Sequence, residues 1–173
     1  LAIAIHALGA TPGEIVRRLE GTGDFVELAS QVDDLRMTII SVGQQHLAYP
    51  ILHYYHQENP SRALPVAMFK LYQALTIVCH AHASLDPSVR TKLQAALYAL
   101  ESFLSVLISV LSHDFVRPAR RTPRIESAWL PSSTALDKSS AEICDHLEQL
   151  TSQRIWLAYI EKDGWEWQAL WTH

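Results

Sequence analysis

The stretch that decides the fold is His46–His56, HLAYPILHYYH, together with the apolar pattern that leads into it. Alternating steps of three and four residues, counted backwards from His56, mark one residue in each turn of a helix. These residues are His53, Tyr49, His46, Val42, Ile39, Leu35, Val32, Leu28 and Phe25. A repeat of this kind keeps its side chains on one face of a helix. The pattern predicts a long helix over residues 24–45, whose core-facing side continues into the histidines and tyrosines.

Pro50 interrupts this pattern, because proline lacks a backbone donor and its ring clashes with the carbonyl four residues earlier. We expect a kink there, followed by a separate segment over residues 51–56. We predict that His46, His53 and His56 face inward near the kink. The hydroxyls expected beside them belong to Tyr49, Tyr54 and Tyr55.

Composition places the chain among single globular domains. Its 173 residues can build one sizeable core, and 49% apolar against 18% charged residues argues against disorder. The net charge of −4 gives no reason to expect nucleic acid as a partner. Cys79 and Cys144 both lie in helical patterns far apart in sequence, which favours reduced, buried thiols over a disulfide.

The N-terminal part predicts two short helices. Leu1–Leu8 is apolar, ends at Gly9 as a C-cap, and at eight residues is too short to span a bilayer. We interpret it as the continuation of an upstream transmembrane helix. A second helix begins at Thr11-Pro12, with Thr11 and Glu14 forming a capping box, and ends near residue 20.

Two further long helices follow. The first is expected over residues 61–85 with Ser61 as its cap, and it is apolar on nearly every side from Val66 to Val78, which is typical of a central helix. Asp86-Pro87 opens the next, which reaches about residue 112. It contains the only stretch that resembles a membrane span, Leu93–Leu111. One side of that stretch is nevertheless polar and carries Glu101, so we predict a bundle helix.

The C-terminal third begins with a Pro/Arg-rich connector over residues 115–136. The prolines forbid a long helix, and we favour a solvated loop. The alternative is contact with anionic lipid through its four basic side chains, Arg117, Arg120, Arg121 and Arg124. A last long helix is expected from Asp137 or Ser139 to about residue 162. Three tryptophans then form either a clip that closes the bundle or a partner-facing patch: Trp165, Trp167 and Trp171.

These patterns predict one all-α domain over residues 1–173. It is a bundle of about four long helices with a short N-terminal helix and a Trp-rich C-terminal clip. No β-alternation of useful length is present.

The three histidines at positions 46, 53 and 56 are also the strongest candidates for a metal site, with Glu58 close by. Helical bundles bind metals through inward-facing histidines and carboxylates, and DinB-like bundles with three histidines are the nearest analogy. However, the sequence has no Glu-x-x-His pair, and the rings of His80 and His82 point to different faces of a helix. We therefore favour core histidines bonded to hydroxyls or carbonyls, and predict no metal, no other cofactor and no catalytic residue.

Three patches carry a family resemblance: IHALGATPGEIV at Ile5–Val16, HLAYPILHYYH at His46–His56 and DGWEW at Asp163–Trp167. Together they resemble the cytosolic C-terminal region of bacterial two-transmembrane, potassium-channel-like proteins of the ion-channel pore-domain family. The resemblance implies a non-enzymatic assembly or gating domain on the cytoplasmic side of the bacterial inner membrane, attached to upstream pore helices.

Symmetric pores and the apolar surface of residues 1–8 imply a homo-oligomer, a dimer or a tetramer. Leu1, Ile5 and Leu8 share one face of that segment, which we expect at the interface. The alternative function is a stand-alone metal-dependent bundle enzyme that uses the histidine cluster.

Overall fold

The computed structural model describes residues 1–22, 25–49, 58–110, 125–130 and 137–171. These residues form helices, turns and connections, with no strand among them, so the all-α prediction is confirmed. The α-helices are α1 (Ala2–Leu8), α2 (Pro12–Thr22), α3 (Phe25–Ala48), α4 (Leu64–Ala81), α5 (Pro87–Val110), α6 (Ser140–Gln149) and α7 (Thr151–Lys162). Two short 3₁₀ helices cover Ser127–Trp129 and Trp167–Leu170.

Helix α4 is the centre of the bundle, as its nearly uniform apolar composition predicted. Every residue from Pro65 to Val78 is buried. Helices α1, α2, α5, α6 and α7 and the C-terminal 3₁₀ helix all pack against it. Within the described residues, α4 is the one helix long and apolar enough to span a membrane, and 83% of it lies buried inside the protein. The expectation that residues 93–111 are the only stretch resembling a membrane span is therefore wrong.

Helices α3 and α5 form a long pair. Phe25, at the start of α3, lies against His82, shortly before α5 begins. Gly43 lies against Phe103 in the second half of α5, so the two helices run in the same direction. The amphipathic pattern of α5 is confirmed, because Leu93, Leu100, Leu104 and Leu107 are buried while Gln94, Tyr98, Glu101 and Ser105 are exposed.

The periodic pattern of α3 is buried only in part. Leu28, Val32, Ile39 and His46 lie in the core, whereas Phe25, Leu35 and Val42 are half-buried. Tyr49 is 64% exposed, which corrects the prediction that it faces inward. The reason is local: α3 ends at Ala48, and a residue before proline is biased away from helical geometry.

The boundaries of α4 also differ from the prediction. The helix begins at Leu64 because Asn59 accepts hydrogen bonds from the backbone N–H and the hydroxyl of Ser61, at 2.9 and 2.7 Å, and holds that residue in a turn. Ser61 is therefore not a cap, and Pro65 occupies the first turn. The helix ends at Ala81, where the guanidinium of Arg90 donates to the carbonyls of Cys79, His82 and Ala83.

The last long helix is two helices, which corrects the prediction. Ser139 caps α6 in a reciprocal capping box with Glu142, as expected. Leu150 then adopts an extended backbone between α6 and α7. This break changes which face of the chain is buried. The core-facing side chains of α7 include Gln153 and Trp156. A single straight helix that kept Ile143 and Leu147 in the core would turn these two side chains away from it.

The tryptophan-rich end packs on the bundle with two of its three indoles. Trp167 and Trp171 are each 6% exposed, and Trp165 is half-buried. The ring centroid of Trp167 lies 5.8 Å from that of Phe69 on α4. Trp171 stacks on Trp129 at 5.4 Å. Stacking at this distance joins the C-terminus to the segment before α6.

The predicted interface face of the first helix is turned inward. Ile5 is 1% exposed, and Leu1 and Leu8 pack against the core beside it. The exposed side of α1 instead carries Ile3, which is 65% exposed, with Ala4 and Ala7. The apolar face is covered because packing against α4 removes its apolar surface from water.

Gly9 is required by close packing rather than by backbone conformation. A Cβ there would lie 2.7 Å from the backbone nitrogen of Ile15, whereas a Cβ at Gly43 would meet Phe103 at 3.5 Å, an ordinary contact. We expect Gly9→Ala to destabilise the protein by about 1–2 kcal/mol through overpacking. Gly43→Ala, the matched control in mid-helix, should stabilise it by about 0.5–1 kcal/mol. Chemical unfolding of both variants measures this, and effects of equal sign would contradict it.

Candidate functional site

The predicted histidine cluster is described only at His46. That side chain is 7% exposed, so its inward orientation is confirmed. Its Nδ1 lies 2.8 Å from the carbonyl of Val42, and its ring packs edge-on against Phe103. Pro50, His53, Tyr54, Tyr55 and His56 lie outside the described residues. Within the described ranges, no group of three or more His, Cys, Asp or Glu side chains could hold a metal ion.

A different pair of histidines meets at the end of α4. The rings of His80 on α4 and His146 on α6 stack face to face, with centroids 3.7 Å apart and planes 2° apart. The ammonium of Lys138 lies 3.3 Å from Nδ1 and 3.0 Å from Nε2 of His80. All three side chains are half-buried. We call His80, His146 and Lys138 the basic cluster.

Local hydrogen bonds position the basic cluster. Asp137 donates its backbone N–H to the carbonyl of Ala81 at 2.8 Å, and its carboxylate accepts the N–H of Ala83. The capping box of Ser139 and Glu142 then starts α6, which brings His146 over His80 two turns later. Lys138 is therefore held between an anchor on α4 and a capped helix start.

The basic cluster favours neutral imidazoles. The pKa of His80 is lowered by burial, then by His146 and Lys138, and the carboxylate of Glu142 offsets this only in part. The pKa of His146 is lowered by burial and by Lys138. The ammonium of Lys138 lies close to both ring nitrogens of His80, so a protonated His80 ring would place two positive charges in contact. Parallel rings do not converge their lone pairs on one point, so this arrangement does not suit a metal ion.

Polar side chains also occupy the core between α4 and α7. Gln73 and Gln153 are both fully buried, and the Nε2 of Gln73 donates to the Oε1 of Gln153 at 3.0 Å. In the part of the chain that the structure describes, the other amide atom of each has no partner. Lys70, 6% exposed, has its pKa lowered by burial, while Glu14 raises it. All three side chains are buried, so they present no accessible reactive group.

An acidic groove of about 490 Å³ lies between α6 and the preceding 3₁₀ helix. Its lining includes Glu126, Asp145 and Glu148 beside the buried Cys144. Glu148 accepts the backbone N–H of Ile125 at 3.0 Å, so part of this charge stabilises the groove itself. Arg117, Arg120, Arg121 and Arg124, proposed for lipid contact, lie outside the described residues.

The sequence did not point to the basic cluster. The expectation that His80 and His82 point to different faces is confirmed, since His80 stacks on His146 while His82 lies 4.8 Å from the ring of Phe25. Lys138 and His80 are 58 positions apart, and no local spacing links them.

Comparison with known proteins does not extend these observations: no family model matches the chain, and no curated protein or solved structure matches it.

Proposed function

We propose that this chain is a non-catalytic cytosolic assembly and gating module of a bacterial two-transmembrane, potassium-channel-like protein, on the cytoplasmic side of the inner membrane. In this proposal α1 continues an upstream pore helix, and its movement is coupled to the rest of the domain. The observation that carries the proposal is the way α1 is fastened to the central helix.

The fastening has an apolar and a polar part. Ile5 is almost fully buried against the bundle, and α1 packs directly on α4. At the other end, the guanidinium of Arg18 donates to the carbonyl of Ala7 at 2.7 Å. The carboxylate of Glu14 accepts the N–H of Ala10 at 2.8 Å. A displacement of α1 would therefore be transmitted to α2 and α4, which is what a coupling element requires.

The central position of α4 supports transmission beyond the first contact. The same helix contacts α5, α6 and α7, and α5 in turn contacts α3. A shift of α1 can therefore reach every other described α-helix through α4. Close-packed interiors have low compressibility and pass strain on instead of absorbing it.

Assembly is the part of the proposal that a soluble sample can test. Residues 1–8 cannot simply be deleted, because Ile5 belongs to the core. We expect the chain to be a homo-oligomer through the exposed side of α1. Ile3→Glu should then shift it toward monomer, whereas Tyr98→Glu on the exposed side of α5 should not. Light scattering at high micromolar concentration measures the mass. A monomeric wild-type chain would reject the assembly claim.

The channel part needs the longer protein. The coding sequence before Leu1 should encode two apolar spans and a filter motif, and the whole protein in liposomes should conduct potassium. Arg18→Met should change how often it opens while leaving its selectivity unchanged, because Arg18 anchors α1 and not the pore. Upstream sequence without apolar spans would overturn the proposal.

A further inference from the structure

We propose that the basic cluster is a proton-sensitive latch, which holds α6 on the end of α4 at neutral pH and releases it on acidification. This inference goes beyond the proposed function and does not depend on it, because the latch belongs to the isolated chain.

The contact geometry makes the latch sensitive to charge. The two imidazole centroids lie 3.7 Å apart in planes 2° apart, so a charge on either ring is in van der Waals contact with the other ring. Protonating either ring places a cation beside the ammonium of Lys138, 3.0 Å from the nearest ring nitrogen of His80. Protonating both puts three positive charges in one half-buried volume, and like charges at this distance repel strongly where water is partly excluded.

Among the described residues, the surrounding charges offset that repulsion only in part. On α6, the carboxylate of Glu142 raises the pKa of His80, and it already accepts hydrogen bonds from the backbone N–H and hydroxyl of Ser139, at 2.9 and 2.7 Å. The described residues that precede α6 contribute Lys138 and Asp137, and the carboxylate of Asp137 accepts the N–H of Ala83. On the side of α5, Arg90 binds the backbone carbonyls that end α4.

The element to be released is small. Helix α6 has 10 residues and buries Ile143, Cys144 and Leu147. It is joined to α7 through the extended Leu150, so it can move without bending α7. Short elements with few buried side chains open at a lower cost than the whole protein.

The direction of the pH dependence follows from the lowered pKa values. In the closed state the pKa of each histidine lies below its ordinary value of 6.5. The open state therefore binds more protons than the closed state as the pH falls. The latch is therefore fully effective at pH values above the ordinary histidine pKa of 6.5, and it weakens as the pH falls below that value. For each histidine that takes up a proton on opening, the opening constant should rise by up to about tenfold per pH unit.

Hydrogen–deuterium exchange of the intact chain tests the latch. After correction for intrinsic exchange, protection of residues 140–149 should fall between about pH 7.5 and about pH 5.5, while protection of residues 66–78 on α4 changes little. The double variant His80→Phe/His146→Phe keeps a stacked pair without a titrating group. Its protection over residues 140–149 should not depend on pH in this range. His6→Phe on α1 should behave as wild type.

Nuclear magnetic resonance of the imidazole Cε1–H groups gives a second measurement that does not depend on any variant folding. Both cluster histidines should titrate below 6.5 in the wild type and move upward in Lys138→Met. Titration of His80 and His146 at or above 6.5 would overturn the proposal. So would a pH dependence of α6 that persists in the double phenylalanine variant.

Discussion

Replacing Trp156 with alanine should destabilise the protein by about 3–5 kcal/mol, the usual cost of deleting a buried indole. Trp156 is fully buried on α7. Its ring stacks on Phe69 of α4 at 5.8 Å and on Phe103 of α5 at 6.1 Å, so it joins three helices. Domains of this kind have a total stability of about 5–15 kcal/mol, so the variant should lose a large fraction of it.

Chemical unfolding followed by far-ultraviolet circular dichroism measures this loss. The matched control is Trp165→Ala, whose indole is half-buried and donates to the carboxylate of Asp163 at 3.1 Å. That variant should cost about 1 kcal/mol, the typical value for a point substitution. Equal costs at the two positions would show that Trp156 does not connect the helices as the structure indicates.

The second large effect concerns the buried amide pair. Gln73→Met leaves both amide atoms of Gln153 without a protein partner in the core, and Gln153→Met does the same to Gln73. We expect each single variant to cost about 2–3 kcal/mol, because a buried polar group without a partner retains its full desolvation penalty. The double variant should cost less than either single one, because it removes both orphaned groups at nearly constant volume.

A double-mutant cycle from urea unfolding of the four proteins measures this coupling. Strongly non-additive costs are expected, with the double variant near wild type. Additive costs would mean that the two amides do not share a hydrogen bond. The cycle also reports on a contact between α4 and α7 that joins residues 80 positions apart.

Local rules predicted much of the fold. Asp86 accepts the N–H groups of Ser88 and Val89 and starts α5, and Ser139 caps α6 through Glu142, both where the sequence placed a cap. The central position of α4 followed from its apolar composition alone, since such a helix has no face to expose. These features depend on residues within a few positions of one another.

Helix ends were less predictable, for a physical reason in each case. Ser61 has the chemistry of a cap, yet Asn59 binds it in a turn first. Leu150 has no helix-breaking chemistry, yet its backbone is extended. The break lets α7 present a different face to the core than one straight helix would. Competing local bonds and packing demands of similar size decide such positions, and propensity is too small to settle them.

The basic cluster could not be predicted from the sequence. The sequence by itself determined that the chain is helical, that α4 is central, that α5 has one polar side and that His46 faces inward, because side chains repeating every three to four residues encode the buried face. Only the tertiary structure decided that His80 meets His146 and that Lys138 lies beside them. Contacts between distant helices depend on their relative rotation and offset, which follow from the packing of the whole core and not from any local pattern.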